Sequence, residues 1–328
     1  MMNTIEGGVT AAKGFMAASA EAGIKYKNRT DMALVYTKSP AVCAGTFTTN
    51  VVKAAPVWWD KEIVENKKDV HAVVLNSGIA NACTGGEGKE INEYMAAQIA
   101  EALGVSTKEV LTASTGVIGM QIKKEPIQKG AKLLKDALAD TKEAGLLAAK
   151  AIMTTDTVPK EAAVSFEVDG VTVTVGGMSK GSGMIHPNMA TMLGFLTTDA
   201  SITSELLNEA LHTAIEDTFN MVSVDGDTST NDMVSVMASG LAENQTITEK
   251  NHDYKLFTQA LTEVCAVLSR KIAKDGEGAT RLLECAVTGA KTKEDARTVA
   301  KSVICSNLLK CAIFGADANW GRVLCAIG

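Results

Sequence analysis

A short apolar run followed by an amphipathic helix pattern constrains the fold of this chain most. Residues 70–75 (VHAVVL) are too few for a helix and indicate a buried strand that ends at residues 76–78 (NSG). Apolar residues then recur at helical spacing from Ile91 to Leu103, and the tolerance of Gly104 for positive φ suits a helix C-terminus. A strand followed by a helix is typical of α/β proteins, so this fold class is expected.

An alternating pattern further along the chain predicts an antiparallel hairpin. Val164–Val168 and Val171–Val175 flank Asp169 and Gly170. A type I′ turn favours the Asp-Gly pair because both of its central residues need positive φ.

Three more helices are predicted in the second half of the chain. Apolar residues align at helical spacing over about 204–219 and 252–274. Thr292 opens a capping-box pattern, and an apolar stripe from Val299 to Ile313 predicts one more packed helix. No fixed repeat, low-complexity tract or proline-rich linker divides the chain, so its domain boundaries are poorly marked.

Composition and charge exclude several classes of protein. The 328 residues are 46% hydrophobic, which supports a core and excludes disorder as the main state. The 32 basic and 38 acidic residues give a net charge of -6 without any basic face, so no nucleic acid partner is expected. The first six residues lack a signal-peptide pattern and no run approaches the ~20 apolar residues of a membrane span. We therefore expect a cytoplasmic protein with no membrane partner.

Cysteine and histidine spacing favours neither a disulfide framework nor a metal site. The 7 cysteines are odd in number, never form CxxC and lie mostly among apolar neighbours, so we interpret them as buried free thiols. The 4 histidines are scattered, without the spacing of zinc ligands.

Three glycine-rich or acidic segments match ligand-binding loops only in part. Residues 85–89 (GGEGK) and 176–183 (GGMSKGSG) do not fit the phosphate-loop pattern. Residues 225–232 (DGDTSTND) cluster oxygen ligands, but Thr230 and Val236 stand where an EF-hand needs Gly and Glu. A structural polar turn is therefore favoured over a calcium site.

The segment 180–194 (KGSGMIHPNMATMLG) is, by composition alone, an ordinary loop before a strand. With four other segments, however, it resembles the ornithine acetyltransferase (glutamate N-acetyltransferase) family of arginine biosynthesis. The resemblance spans essentially the whole chain, with five motifs in the family's order. These are NSGIANACTG at 76–85, STGVIG at 114–119, KGSGMIHPNMATMLGFLTTDA at 180–200, GDTSTND at 226–232 and FGADANWGR at 314–322.

The resemblance implies a chain that cuts itself between Ala190 and Thr191. A threonine hydroxyl is a weak nucleophile, but the α-amine that the cut creates on Thr191 can act as its general base. Thr191 is then implied to carry acetyl from N2-acetylornithine to L-glutamate. Thr115 and Gly116 match the family's oxyanion hole, which stabilises the charge of the tetrahedral intermediate. No metal or cofactor is implied, and the use of acetyl-CoA as a second donor stays open.

Substrate-contact positions of the family match Thr154, Lys180, Thr191 and Glu277. An amino acid substrate needs a cation for its carboxylate and an anion for its amine, and Lys180 and Glu277 carry these charges. Without the resemblance, both would be interpreted as solvated loop charges. Family members continue beyond residues 314–322 and bring an Asn and a Thr to the substrate, so the resemblance implies a C-terminally shortened member that lacks these two ligands.

The fold that the resemblance implies is α/β with α-β-β-α layers. A catalytic domain is expected over residues 1–280, and residues 281–328 are expected to begin a smaller C-terminal domain. Cleavage is expected to give an α chain of residues 1–190 and a β chain of residues 191–328, which assemble as an α2β2 heterotetramer. Two other functions stay open: a self-processing amidohydrolase or aminopeptidase with water as acceptor, and a non-catalytic remnant.

Overall fold

Strands and helices alternate along the chain, which confirms the predicted α/β class. The computed structural model describes residues 2–185 and 192–328. Within these ranges the strands are β1 Asn3–Ile5, β2 Phe15–Ala20, β3 Met32–Phe47, β4 Val70–Ile79, β5 Val110–Val117, β6 Lys160–Val168, β7 Val171–Lys180, β8 Leu193–Thr198 and β9 Met233–Ala238. The α-helices are α1 Ala55–Glu65, α2 Gly85–Leu103, α3 Lys124–Asp136, α4 Lys142–Ala151, α5 Ser204–Glu216, α6 His252–Lys274, α7 Lys293–Cys305, α8 Asn307–Phe314 and α9 Trp320–Ile327.

Strand β3 joins two halves of one mixed sheet. Its first part, residues 32–37, pairs with β2 and β4, and with β5 these strands form the N-terminal half-sheet. Its last part, residues 42–47, pairs with β9 and belongs to the central half-sheet, in the order β1-β6-β7-β8-β9-β3. Pro40, which cannot donate a ladder hydrogen bond, lies where the register between β3 and β4 shifts. The β4–β5 and β8–β9 pairs are parallel.

One apolar cluster contains side chains from both half-sheets. Val73 and Leu75 of β4 lie in it together with Phe195 of β8 and Met237 of β9. Successive side chains of a strand point to opposite faces, so Val74 belongs to a different cluster. Because both faces of β4 are buried, the strand is a continuous apolar run rather than an alternating one.

Helices cover the other faces of the two half-sheets. Val74 of β4 shares a cluster with Ile99 of α2 and Leu134 of α3. In the central half-sheet, Val175 of β7 shares a cluster with side chains of α5 and α6, among them Leu207. Each half-sheet is therefore buried by its own pair of helices.

Two predicted glycine positions are confirmed. In the β6–β7 hairpin, Asp169 has φ 50° and Gly170 has φ 81°, as a type I′ turn requires. Helix α2 ends at Gly104, which is left-handed with φ 73°. The glycine-rich residues 85–89 form the first turns of this helix rather than a loop.

The single helix predicted from Val299 to Ile313 is wrong, because two helices meet at Ser306. The Ser306 hydroxyl accepts a hydrogen bond from the N–H of Leu309 at 3.3 Å and so starts a new helix. The predicted cap at Thr292 is present.

The predicted burial of the cysteines holds only in part. All seven are free thiols, but Cys83, Cys311 and Cys325 are exposed, whereas Cys43 and Cys265 are buried. Cys83 lies in the loop before α2, and the other two exposed thiols lie on α8 and α9, whose apolar neighbours are partly exposed as well.

The three C-terminal helices pack on one another and contact the rest of the chain through charged side chains. Arg297 of α7 donates to Asp217 at 3.1 Å, and Lys310 of α8 donates to the carbonyl of Val224 at 2.7 Å. None of the helices in the described ranges combines the length and the apolarity that crossing a bilayer requires.

Candidate active site

A cavity of about 540 Å³ lies where the C-terminal ends of β4, β5 and β7 meet the N-terminal ends of β8 and β9. Every predicted site residue that the structure describes lines it. These residues are Thr115, Gly116, Thr154, Lys180 and Glu277. The predicted cleavage pair, Ala190 and Thr191, lies outside the described residues. Ile185 and Met192, the described residues on either side of that segment, also line the cavity.

The predicted oxyanion pair lies near the C-terminal end of β5. Thr115 is 8% exposed, and Gly116 has φ 133°, in the region that favours glycine. A Cβ on Gly116 would lie 2.3 Å from the carbonyl carbon of Gly78, its partner on the parallel strand β4. The close approach of the two strands therefore requires glycine at this position.

Lys180 is the last residue of β7, so it is not the solvated loop charge of the alternative interpretation. Its Nζ donates a hydrogen bond to the Thr115 Oγ1 at 3.1 Å. Burial lowers the pKa of Lys180 below its ordinary value. Lys160 adds to this shift, whereas the neighbouring acidic groups, Asp156 foremost, oppose it.

Glu277 lies in the turn after α6, with its side chain at the cavity. Its N–H donates to the carbonyl of Ser182 at 3.0 Å, which ties the turn to the residues that follow β7. A Cβ on Gly183 would lie 2.4 Å from the Glu277 Oε1. The glycine-rich start of residues 180–194 thus leaves room for this carboxylate.

Thr154 lies in the loop between α4 and β6 and is held by a neighbouring carboxylate. Its N–H donates to Asp156 Oδ2 at 3.1 Å. Oδ1 of the same side chain accepts from the N–H of Gly181 at 2.7 Å. Asp156 therefore links the segments that carry Thr154 and Lys180. No sequence pattern pointed to this buried residue.

The acidic segment 225–232 supports the walls of the cavity, in agreement with the interpretation as a structural polar turn. The Asp225 carboxylate accepts hydrogen bonds from the N–H groups of Met184 at 2.6 Å and Ile185 at 2.9 Å. Asn231 Nδ2 donates to the carbonyls of Ala80 at 2.6 Å, directly after β4, and Ser114 at 2.8 Å, within β5. The side chains of Asp225 and Asn231 in this segment thus bind backbone groups of the cavity wall.

Asp232, directly before β9, is a buried carboxyl at the cavity. Burial raises the pKa of Asp232 well above the ordinary value. Hydrogen bonds from Ser229 and the attraction of Lys180 lower the pKa but do not cancel the effect of burial. In the described part of the chain, no group of three or more His, Cys, Asp or Glu side chains is placed to hold a metal ion.

The described side chains at the cavity carry groups that can stabilise an oxyanion and bind an amino acid. A hydroxyl held by an ammonium group can donate its own proton to an oxyanion. The cation of Lys180 and the anion of Glu277 face one cavity and are suited to the two charged groups of an amino acid.

Sequence comparison places the chain in a known family. The ArgJ family profile matches residues 16–328. A relative from Symbiobacterium thermophilum, named arginine biosynthesis bifunctional protein ArgJ, is 52% identical over an alignment of 329 residues, which covers 100% of this chain and 81% of the relative. The Bacillus subtilis protein of the same name is 45% identical over 324 residues, 99% of this chain and 79% of the relative. The chain belongs to the ArgJ family, which confirms the resemblance found in its motifs.

Solved structures agree with this assignment. A crystal structure of the arginine biosynthesis bifunctional protein ArgJ from Bacillus halodurans is 40% identical with a TM-score of 0.54, covering 58% of this chain and 99% of its own. The ornithine acetyltransferase of Mycobacterium tuberculosis, solved in complex with ornithine, is 39% identical with a TM-score of 0.54. The match covers 57% of this chain and 99% of the solved chain.

Proposed function

We propose that the chain is an acetyltransferase of arginine biosynthesis that moves the acetyl group of N2-acetylornithine to L-glutamate. Its ArgJ relatives are named as bifunctional proteins of that pathway, and a 39% identical neighbour is an ornithine acetyltransferase solved with ornithine. One observation carries the proposal: five residues that match the family's functional positions come from four separate segments and line a single cavity.

Thr191 is the proposed nucleophile, freed when the chain cuts itself after Ala190. The new α-amine of Thr191 takes the hydroxyl proton as the oxygen attacks the acetyl carbonyl. The carbon–nitrogen bond of acetylornithine then breaks, ornithine leaves with the proton, and an acetyl ester remains on Thr191. The amine of glutamate then attacks this ester, and the bond between the acetyl carbon and the Thr191 oxygen breaks. A proton from the amine returns the oxygen to a hydroxyl as N-acetylglutamate leaves.

The proposed cut agrees with the length of a solved neighbour. The Bacillus halodurans chain aligns over 99% of itself but over only 58% of this chain. Residues 1–190 are 190 of 328 residues, which is the same share. A chain that ends at Ala190 would have this length.

Thr115 and Gly116 are the proposed oxyanion hole. Each tetrahedral intermediate places negative charge on the former carbonyl oxygen, and one donor aimed at that oxygen typically contributes about 3–4 kcal/mol. The hydrogen bond from Lys180 to Thr115 Oγ1 supports this role, because it uses an acceptor position of the hydroxyl and leaves its proton for the intermediate.

Thr154, Lys180, Thr191 and Glu277 are the proposed substrate contacts. The ammonium of Lys180 suits the substrate carboxylate, and the carboxylate of Glu277 suits a substrate amine. Ornithine and glutamate can occupy this pocket in turn, because the acetyl group waits on Thr191 between the two steps. No metal or cofactor takes part, and acetyl-CoA is a candidate second donor.

The proposal includes the layered fold and the assembly. The apolar cluster shared by both half-sheets and the helices on their other faces support α-β-β-α layers. The proposed catalytic domain covers residues 1–280, and residues 281–328 are proposed to belong to a smaller domain. The α chain 1–190 and β chain 191–328 are proposed to form an α2β2 heterotetramer.

Intact-mass spectrometry of the purified protein tests this function. We expect two chains instead of one of 34.3 kDa. Acetylornithine alone should add one acetyl mass to residues 191–328, and glutamate should then remove it as N-acetylglutamate. Loss of the acetyl mass to water at the same rate without glutamate would support an amidohydrolase instead. A single intact chain that transfers no acetyl group would support a non-catalytic protein. A parallel sample with acetyl-CoA tests the second donor.

A further inference from the structure

A buried ion cluster lies behind the wall of the proposed substrate pocket. Lys160, the first residue of β6, is 0% exposed. Its Nζ donates to Asp156 Oδ1 at 2.7 Å, to Asp275 Oδ2 at 2.6 Å and to the carbonyl of Val158 at 3.3 Å. The three donors of the ammonium group thus have three acceptors, and two of these acceptors are carboxylates.

Each carboxylate of this cluster binds a segment that carries a proposed substrate contact. Asp156 accepts from the N–H groups of Thr154 at 3.1 Å and Gly181 at 2.7 Å. Gly181 follows Lys180 directly, so one side chain fixes the backbone beside two of the proposed contacts. The Lys160–Asp156 ion pair is itself fully buried.

Asp275 makes the corresponding contacts on the other side of the pocket. The hydroxyl of Ser182 donates to its backbone carbonyl at 2.6 Å. Its carboxylate accepts from the N–H of Thr157 at 3.0 Å. Glu277 lies two residues further along and donates its own N–H to the Ser182 carbonyl. The position of Glu277 therefore depends on where Asp275 is held.

Lys160 is what allows two acidic side chains to converge here. Burial opposes the ionisation of Asp156 and Asp275, yet the pKa of both carboxyls stays below the ordinary value. Lys180 and Lys160 lower it at Asp156, and Lys160 and Thr157 lower it at Asp275. Removal of one partner from a buried ion pair leaves an uncompensated charge, which is strongly unfavourable. Without Lys160 the two carboxylates would repel each other, and Lys180 would be the cation left to attract Asp156.

We infer that Lys160 is a positioning residue: through Asp156 and Asp275 it sets the spacing of Thr154, Lys180 and Glu277 around the amino acid substrate. This inference rests on the proposed function, because it assigns Lys160 a role in the same pocket. The residue does not touch the cavity itself, and its effect on substrate passes through hydrogen bonds of the cluster. Its loss should therefore weaken substrate binding first.

Calorimetry with ornithine and thermal unfolding of the same samples test the inference. In Lys160→Met we expect ornithine to bind at least about tenfold more weakly and Tm to fall. Lys142→Met is the matched control, because Lys142 pairs with Glu6 on the surface at 3.0 Å. This control should keep the wild-type affinity and Tm.

The double variant Lys160→Met/Asp275→Asn separates positioning from stability. It restores the net charge of the buried cluster, so Tm should recover toward that of the wild type. The bridge between the two acidic positions stays absent, so ornithine binding should remain about tenfold weaker. Recovery of affinity along with Tm would overturn the inference, as would unchanged affinity in Lys160→Met.

Ser182→Ala tests the positioning inference if the charge variants do not fold. It keeps all three charges and removes only the hydrogen bond from Ser182 to the Asp275 carbonyl. We expect a several-fold loss of ornithine affinity, and wild-type affinity would overturn the inference. Acetyl transfer by the wild type is measured separately. Ornithine binding without transfer would contradict the proposed function alone, and no ornithine binding by the wild type would contradict both.

Discussion

Lys180 at the end of β7 donates a hydrogen bond to the Thr115 hydroxyl at the end of β5, across 3.1 Å. The two strands belong to different half-sheets, so this bond joins the halves at the cavity. An ammonium donor polarises the hydroxyl that accepts from it, and a polarised hydroxyl is a stronger donor to a third group. Lys180 can therefore strengthen the proposed oxyanion hole in addition to binding a carboxylate.

Thr115→Val should lower kcat by ~10²–10³ and leave KM nearly unchanged. The two side chains are nearly isosteric, and the donor that is lost acts only when negative charge develops on the substrate. Steady-state kinetics with acetylornithine and glutamate measure both constants. Thr213→Val, on an exposed part of α5, is the control and should keep the wild-type kcat. Wild-type kcat in Thr115→Val would mean that the Thr115 hydroxyl is not an oxyanion donor.

Local patterns predicted those elements whose geometry depends on neighbouring residues. The β6–β7 turn and the end of α2 follow from Asp169, Gly170 and Gly104, where backbone conformation limits the choice of residue. The break at Ser306 was missed because the apolar stripe continues across it and the new cap is one hydroxyl. Strand β3 has no simple period, since Pro40 lies within it and its two parts pair with different strands.

The site was predicted by resemblance and not by pattern. Thr115 and Lys180 are 65 residues apart in the chain, and the tertiary arrangement of the two half-sheets brings them within hydrogen-bond distance. Lys160 and Asp275, 115 residues apart, had no sequence signal at all. Hydrogen bonds between distant residues depend on tertiary packing, which periodicity does not encode.

Thr191→Ala should remain one uncut chain and transfer no acetyl group. The variant lacks the hydroxyl that the proposed reaction needs both for the acyl shift at Ala190 and for the acetyl ester. Thr191→Ser keeps a hydroxyl and should be cut, at a lower rate. Denaturing gels and intact mass distinguish the outcomes. Two chains of normal size from Thr191→Ala would refute self-cleavage at this residue.

Gly116→Ala should destabilise the protein by roughly 2–5 kcal/mol, because the new Cβ collides with backbone and the residue keeps a positive φ. The nearest atoms are the Gly78 carbonyl carbon at 2.3 Å and its oxygen at 2.4 Å, neither of which is a flexible side chain. Gly86→Ala is the matched control, since this helical glycine has no atom within 4 Å of an added Cβ. Urea unfolding should show the control to be unchanged or up to ~1 kcal/mol more stable. Equal stability of the two variants would contradict the predicted collision.

The pH dependence of stability should reveal the buried carboxyl of Asp60 on α1. Its Oδ1 accepts from the Thr112 N–H at 2.8 Å and from the Thr112 hydroxyl at 3.2 Å, and Oδ2 has no partner within the described ranges. Burial raises the pKa of Asp60 well above its ordinary value, although the Thr112 hydrogen bonds oppose the shift. The folded chain therefore holds a proton here at pH values where the unfolded chain has lost it.

Asp60→Asn should gain stability relative to the wild type as the pH rises. Where the unfolded state binds fewer protons than the folded state, the free energy of unfolding falls with increasing pH, and asparagine removes this slope because it does not titrate. Urea unfolding from pH 5 to 8 measures the difference between the two proteins at each pH. Asp217→Asn is the control: burial opposes ionisation of Asp217, but Lys293 and Arg297 hold its pKa below the ordinary value. Asp217 is thus ionised in the folded and the unfolded state across this pH range. The difference in unfolding free energy between Asp217→Asn and the wild type should therefore not change with pH. A flat difference for Asp60→Asn as well would mean that Asp60 is not buried as a protonated carboxyl.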